Sequence, residues 1–455
     1  MAVADGETST EQPQKWCGYS RCVIASIMAA LVLVAAVVAI IIAANSHSAS
    51  PGPSPLPFGP LRGIAYAALP CTADNACKQQ MPSQDVMQLG YKTQWGATGR
   101  NDLGVIKNLG ANTVRLYNSL GFGPATDHSG FLDEALKQGL NVMPGIDSDL
   151  ALHNCTNFDC YETVKAVVKT GFSLGFAKGK DWHPAIHTVL IMNEADFFGR
   201  DAKCPGGAPW CRVKAVLSGL DGLLAAEKEA GIRPGRVNLA TTWSFNISDS
   251  IDGKCKQCPG YFGFQDMLAA VADPSIAKYV PHTPAKDLAA AFDKRWINGL
   301  NVQTPWEIVH DVVSKNYGPF GNRSWFIGEF GALNQPHTAI QSDMKAMAEL
   351  AHNSSDPFLG VTVFQFQTAY QIGGSEMAFG LFGLGKEKVA DTGNMCKQNG
   401  ECGKWPVYCL NANLTHLPAS QAERAAAVAK AWGGKVTGTC RNSTVIAETV
   451  TEIVL

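Results

Sequence analysis

Charge is scarce in this 455-residue chain: Asp, Glu, Lys and Arg make up 17% of it, and the formal net charge is −2. That balance leaves no basic face for a phosphate backbone, so no nucleic-acid partner is expected. It suits an uncharged substrate such as a glycan. Histidine is sparse too, with 10 residues spread along the sequence. His128, His153, His183 and His187 read as surface or packing residues, and no His-rich metal cluster or Ser-His-Asp set stands out. No Gly-rich phosphate loop follows the first strand candidate at Tyr66, which argues against a doubly wound nucleotide-binding sheet. No internal repeat is evident.

What the chain does have is one long apolar run, Cys22 to Ala44, without a charged residue. About 20 apolar residues span a bilayer as a helix. Lys15 and Arg21 precede the run and no Lys or Arg follows before Arg62, so residues 1–21 should form a short cytoplasmic tail. Residues 22–44 then read as a signal anchor, longer than the apolar core of a cleaved signal peptide. The expectation is a single-pass type II membrane protein with its bulk outside the cytosol; secretion after signal cleavage is the alternative. Residues 45–60 carry Pro51, Pro53, Pro55, Pro57 and Pro60 among Ser and Gly, the composition of a semi-extended spacer.

Cysteine usage agrees with export. All of the 14 cysteines except Cys17 and Cys22 lie beyond the apolar run. Cys71/Cys77, Cys155/Cys160, Cys204/Cys211 and Cys255/Cys258 form close pairs, and Cys396, Cys402, Cys409 and Cys440 follow. An even number in local pairs reads as disulfides. Cys255-Lys-Gln-Cys258 has zinc-site spacing but lacks a second ligand pair nearby, so no metal is expected. N-glycosylation sequons begin at Asn154, Asn246, Asn322, Asn353, Asn413 and Asn442, all beyond the run.

From residue 61 short apolar runs alternate with helical patterns, as in a chain of βα units. Strand candidates are Gly63–Ala67, Asn112–Tyr117, Leu140–Asp147, the run opening at Thr188, Val237–Trp243, Ile297–Gln303, Trp325–Glu329 and Val361–Gln367. Eight such units predict a (β/α)8 TIM barrel over residues 61–385. Residues 391–455 hold the last four cysteines, Trp405 and a helix-like run from Gln421 to Trp432. They read as a small Cys-containing C-terminal extension, either a carbohydrate-binding appendage or, preferably, a tail packed on the barrel.

Two of these strands end in carboxylates. Thr188-Val-Leu-Ile-Met-Asn193-Glu194 puts Glu194 where a buried parallel strand meets its C-terminal loop, and Ser324-Trp-Phe-Ile-Gly328-Glu329 does the same for Glu329. That edge is the catalytic face of a barrel. Cleaving a glycosidic bond requires a proton for the leaving oxygen and a stabiliser for an oxocarbenium-like centre, which two carboxyl groups about 5 Å apart supply in a retaining mechanism. Such chemistry calls for no cofactor.

The strand ending Asn193-Glu194, with Gly328-Glu329-Phe-Gly331 three strands later, resembles the retaining clan A glycoside hydrolases. Gly63-Ile-Ala-Tyr66, Leu109-Gly-Ala-Asn112-Thr-Val-Arg115-Leu-Tyr117 and the helix-strand unit from Asp127 to Asn141 are similar to the fungal β-1,3-glucanosyltransferase and plant-type endo-β-1,3-glucanase families. The resemblance spans residues 61 to about 375. It implies that Glu194 is the general acid/base, Glu329 the nucleophile, and Asn193 the partner of the sugar 2-hydroxyl. Arg115 and Tyr117 would keep the nucleophile ionised and line the site, with Tyr66 on the cleft floor; Trp243, Trp306, Trp210 and Tyr370 are candidates for stacking on sugar faces. The chain departs from these relatives at Gln303, where a tyrosine is common, and at Gln365 and Gln367, where an aromatic platform is common; Gln303 and Gln365 are expected to bind substrate in their place. The expected partner is a β-glucan, hydrolysed or transferred. A catalytically silent glycan-binding barrel, or a retaining enzyme on mannan or cellulose, remains an alternative.

Overall fold

The computed structural model describes residues 59–71, 82–121, 126–149, 153–200, 204, 208–397 and 400–440. The expected tail (1–21), membrane anchor (22–44) and nearly all of the linker (45–60) lie outside the described residues. Among the described residues no helix is long and apolar enough to cross a membrane.

Eight parallel strands form the centre: β1 Leu61–Ala65, β2 Thr113–Arg115, β3 Asn141–Met143, β4 Thr188–Asn193, β5 Asn238–Trp243, β6 Trp296–Val302, β7 Trp325–Phe330 and β8 Phe358–Val363. They are hydrogen-bonded in the order β3-β2-β1-β8-β7-β6-β5-β4. Bridges Val142↔Ile186 and Gly145↔Leu190 join β3 to β4 and close the ring. The (β/α)8 barrel predicted from the alternation is the observed fold, and each strand overlaps its candidate.

Helices wrap the outside: α1 Asp102–Asn108, α2 Ser129–Lys137, α3 Tyr161–Gly171, α4 Pro209–Ala230, α5 Gly263–Ala272, α6 Ala285–Arg295, α7 Trp306–Val312 and α8 His337–Ala351. The sequence reading had no helix between the fifth and sixth strands, where α5 and α6 lie. A hairpin of β9 Gly383–Asp391 and β10 Pro406–Asn411 then leads to α9 Arg424–Trp432. This last helix packs on the outside of the ring, between α8 and α1. It lies against α8, while the Lys435 amide donates to the Asn108 carbonyl at 2.7 Å, just past α9 and at the end of α1. Ala425, Val428 and Trp432 join the main hydrophobic core. The described part of residues 391–455, expected as a C-terminal extension, supplies the ring's final helix and packs into the main core.

The strand interiors are layered. Leu61, Met143, Leu190, Ala240, Ile297 and Phe326 form an apolar cluster of their own, one side chain from each of six strands. Such a filled floor is the usual interior of a barrel. Towards the C-terminal ends of the strands the inward positions turn polar: Arg115, Asn193, Thr242 and Asn301. The site described below rests on that layer.

Disulfides join Cys155–Cys160, Cys204–Cys211, Cys255–Cys258, Cys396–Cys402 and Cys409–Cys440, and Cys71 is also disulfide-bonded. The CxxC at Cys255 is thus a cystine. Among the sequon asparagines, Asn154, Asn322, Asn353 and Asn413 are exposed. Asn246 instead donates its side-chain amide to the Asp196 carbonyl at 2.8 Å, and Asn442 lies outside the described residues.

Candidate active site

Arg115 organises the mouth of the barrel. It is fully buried at the end of β2, where an unpaired charge would be costly. Its guanidinium is accordingly surrounded by acceptors from four other strands. Nη1 sits 3.1 Å from Glu329 Oε1 and donates to Asn301 Oδ1 at 3.2 Å and to the Gly328 carbonyl. Nη2 donates to Asn193 Oδ1 at 2.6 Å and to Thr242 Oγ1 at 3.3 Å. Asn193 Oδ1 also accepts from Thr242 Oγ1 at 2.8 Å and Asn301 Nδ2 at 3.0 Å. Arg115 lies over the Tyr117 ring as well, its Cζ 4.7 Å from the centroid. The glycine before the second carboxylate makes room for this network. A Cβ on Gly328 would stand 2.5 Å from Thr242 Cγ2 and 3.0 Å from Arg115 Nη1.

Glu194 follows β4 with a left-handed φ of 51°, a conformation that carries strain in a residue with a side chain. Its amide is held by the Thr242 carbonyl at 2.7 Å. Burial pushes the Glu194 carboxyl up to about 8, with the Glu329 charge adding to the rise and a hydrogen bond from Asn301 opposing it. The protonated form thus persists through neutral pH. Next along, buried Asp196 accepts from the Ser244 hydroxyl at 2.5 Å and the Ser244 amide at 3.0 Å, tying the β4 loop to the β5 loop.

Both glutamates face the same two cavities. The larger, about 450 Å³, extends towards β1, β2 and β8 and is lined by Tyr66, Tyr117, Asn118, Gln365 and Glu376 among others. The smaller, about 290 Å³, extends towards β5 and β6 past Ser244, Phe245, Asn246 and Asn301. Glu194, Glu329, Phe197, Gln303 and Phe364 line both. The carboxylates therefore stand at the waist of a continuous groove.

Of the residues singled out in the sequence, Asn193, Glu194, Glu329, Arg115, Tyr117, Tyr66, Gln303 and Gln365 gather here. Tyr66 lines the cavity wall, but its hydroxyl donates to Asp102 Oδ2 at 2.8 Å, and Asp102 is in turn gripped by Arg100 at 2.7 Å. Trp243 does not belong to the site. Thr242 points into the barrel, so its neighbour Trp243 points out, where its ring covers Gly263 at the start of α5 and is 1% exposed. Trp306 stacks on Phe358, Trp210 packs on Phe158, and the Tyr370 hydroxyl accepts from the Leu384 amide at 3.3 Å. None of these three lines either cavity. Gln367 is likewise turned away, donating to the Leu69 carbonyl at 2.7 Å and accepting from Arg100.

The reading missed Thr242, Asn301 and Glu376. The first two were accessible by strand parity: Thr242 alternates with Ala240, and Asn301 with Ile297, both interior residues. Glu376 sits on a 3-10 turn, Gly374–Ala378, that carries no periodic signal.

The C-terminal segment reaches the site through Arg424. Among the described residues no carboxylate pairs with this buried guanidinium, which donates to the Gly331 carbonyl at 2.6 Å and to the Ala332 carbonyl at 3.5 Å. Burial lowers it to about 10. Gly331 is two residues past Glu329, so α9 holds the loop that presents that carboxylate. Arg424→Ala should cost about 2–3 kcal/mol in chemical denaturation by orphaning those carbonyls and leaving a void. Arg424→Lys, which keeps one donor, should recover part of that loss.

No family model matches this chain, and no curated protein matches it. Among solved structures it is similar to a β-glucosidase from Thermotoga maritima in complex with noeuromycin, at 13% identity and a TM-score of 0.44, covering 72% of this chain and 93% of that one. It is also similar to the AHE enzyme from Alicyclobacillus herbarius, at 13% identity and a TM-score of 0.45, with the same coverage. Likenesses this distant carry no chemistry; the barrel rests on its own strand order.

Proposed function

We propose that the protein is a retaining glycosidase or transglycosidase acting on β-glucan, with Glu329 as nucleophile and Glu194 as general acid/base. One observation carries this reading: a carboxyl held protonated to about pH 8 and an Arg115-paired carboxylate share the waist of one groove, at the ends of β4 and β7. In the first step Glu329 attacks the anomeric carbon while Glu194 gives its proton to the departing oxygen. In the second, Glu194, now ionised, takes a proton from water or a sugar hydroxyl, whose oxygen displaces Glu329. Asn193, fixed by Arg115, Thr242 and Asn301, is placed to meet the 2-hydroxyl. A β-1,3 preference is drawn from the resemblance of the Gly63–Tyr66 and Asn112–Tyr117 stretches. Anchoring through residues 22–44, with the barrel outside the cytosol, completes the proposal and accords with the cystines.

The test is proton NMR of the first products released from a β-1,3-gluco-oligosaccharide by the full-length protein. The new reducing end should appear as the β anomer and then mutarotate. Initial α anomer would overturn the mechanism, and no cleavage across a panel of β-1,3-, β-1,4- and mannan oligosaccharides would overturn the function.

A further inference from the structure

The segment between β10 and α9 takes no part in the two-carboxylate reaction, yet it touches both loops that frame the groove. On the β7 side Arg424, 1% exposed, donates to the Gly331 and Ala332 carbonyls. Beside it Gln421 Nε2 donates to the Asn334 carbonyl at 3.2 Å. All three carbonyls belong to the loop that follows Glu329. On the β8 side His416 Nε2 donates to the Met377 carbonyl at 3.0 Å, in the Gly374–Ala378 turn that brings Glu376 to the larger cavity. The two loops also meet each other. A Cβ on Gly331 would stand 2.8 Å from the Phe379 ring, and the Phe379 carbonyl accepts from the Gln365 amide at 3.1 Å.

The loop after β7 depends on outside support. Ala332 and Asn334 have left-handed φ values of 46° and 59°, which a residue with a side chain keeps only where its surroundings enforce them. Each of the Gly331, Ala332 and Asn334 carbonyls is met by a donor from residues 421–424, and the charged donor, Arg424, makes the stronger bonds. The donors are themselves fixed in place. Cys409–Cys440 closes the chain around residues 410–439, and the Cys440 amide donates to the Leu410 carbonyl at 2.9 Å. Inside that closed span the Leu414 amide donates to the Ala422 carbonyl at 3.1 Å, with Leu414 buried.

We infer that residues 416–424 are the positioning element of the groove. Arg424 and Gln421 set the pose of Glu329 through the Gly331–Asn334 loop, and His416 sets the Glu376 turn beside it. The inference deepens the glycosidase reading and rests on it for the role of Glu329; the grip on the loops is independent of turnover. A reacting group displaced by about 1 Å loses on the order of a hundredfold in rate. Arg424 lines neither cavity, so its loss should appear in kcat and not in substrate binding.

The test combines kinetics with hydrogen exchange in the full-length protein. Arg424→Ala should lower kcat about ten- to a hundredfold on a β-glucan oligosaccharide that the parent cleaves, with KM within about threefold. The alkaline limb should stay near pH 8, because Glu194 is not held by this loop. Arg424→Lys should fall between Arg424→Ala and the parent, and Gln421→Ala should lose about threefold in kcat. Amides of residues 329–336 should exchange at least about tenfold faster in Arg424→Ala, while those of β1 and β2 keep their parental rates. His416→Ala should do the same for residues 374–379. Where Arg424→Ala fails to fold, Gln421→Ala carries the test, since it removes only an exposed hydrogen bond. Parental kcat in a folded variant, a loss confined to KM, or unchanged exchange at 329–336 overturns the inference and leaves the proposed activity standing. Faster exchange there, with no glycan cleaved by the parent, overturns the activity and supports the grip on the loop.

Discussion

Glu329→Gln should lower turnover about ten-thousand-fold or more on any glycan the parent protein cleaves, with the fold intact. The amide fills the same space in the groove but cannot form the glycosyl-enzyme bond. The same substitution has a second consequence. Burial is the larger cause of the raised Glu194 carboxyl and the Glu329 charge the next, so removing that charge should draw Glu194 down from about 8 without returning it to the ordinary carboxylate range. A carboxyl-resolved NMR titration of the two proteins measures the difference, and an unchanged Glu194 titration would mean that the carboxylates do not face each other. Glu194→Gln, for its part, should cost about a hundred- to ten-thousand-fold and abolish the alkaline limb of kcat/KM, which the parent should show near pH 8. The sign of the stability effect is opposite to that of a salt-bridged carboxylate. A carboxyl with a raised folded-state value favours the fold most below its ordinary value of 4.5, and that contribution is gone once the pH passes about 8. The Glu194→Gln protein should therefore melt no lower than the parent above pH 8, which separates lost chemistry from lost structure.

Arg115→Ala is expected to be the most damaging single change to both stability and activity. The guanidinium is fully buried and bridges side chains or carbonyls of β4, β5, β6 and β7. Removing it leaves Glu329, Asn193 and Asn301 facing a void, and breaking such a buried pair costs about 3–5 kcal/mol. Asn193 would lose the donor that fixes its amide, so the 2-hydroxyl contact should weaken along with the nucleophile's alignment, and kcat should fall by at least about a hundredfold. Arg115→Lys keeps the charge yet cannot reach Glu329, Asn193 and Asn301 at once. It should retain some of the stability and little of the activity. Denaturation midpoints and kcat of the two variants test this, and near-parental kcat in Arg115→Ala would remove Arg115 from the site.

Much of the barrel was legible because its strands are buried on both faces and read as apolar runs bounded by glycine, asparagine and proline. The opposite case is the connection between β5 and β6. There the Cys255–Cys258 loop and the prolines around α5 and α6 interrupt the periodic pattern, so both helices went unread. Trp243 shows a different failure: an aromatic at a strand end looks like a sugar platform, but one step of alternation turns it outward onto Gly263.

By itself the sequence determined the strand-helix alternation, the two glutamates at strand ends, the arginine of the second strand, and a chain destined for disulfides. It could do so because burial, parallel pairing and cysteine spacing are local in their demands. The tertiary structure alone decided that Arg115 touches four other strands, that Glu194 is dry enough to stay protonated, that α9 completes the ring, and that Glu376 comes to the groove. Those facts depend on the closure of the barrel, which brings distant positions within hydrogen-bond reach and sets how much water each carboxyl keeps.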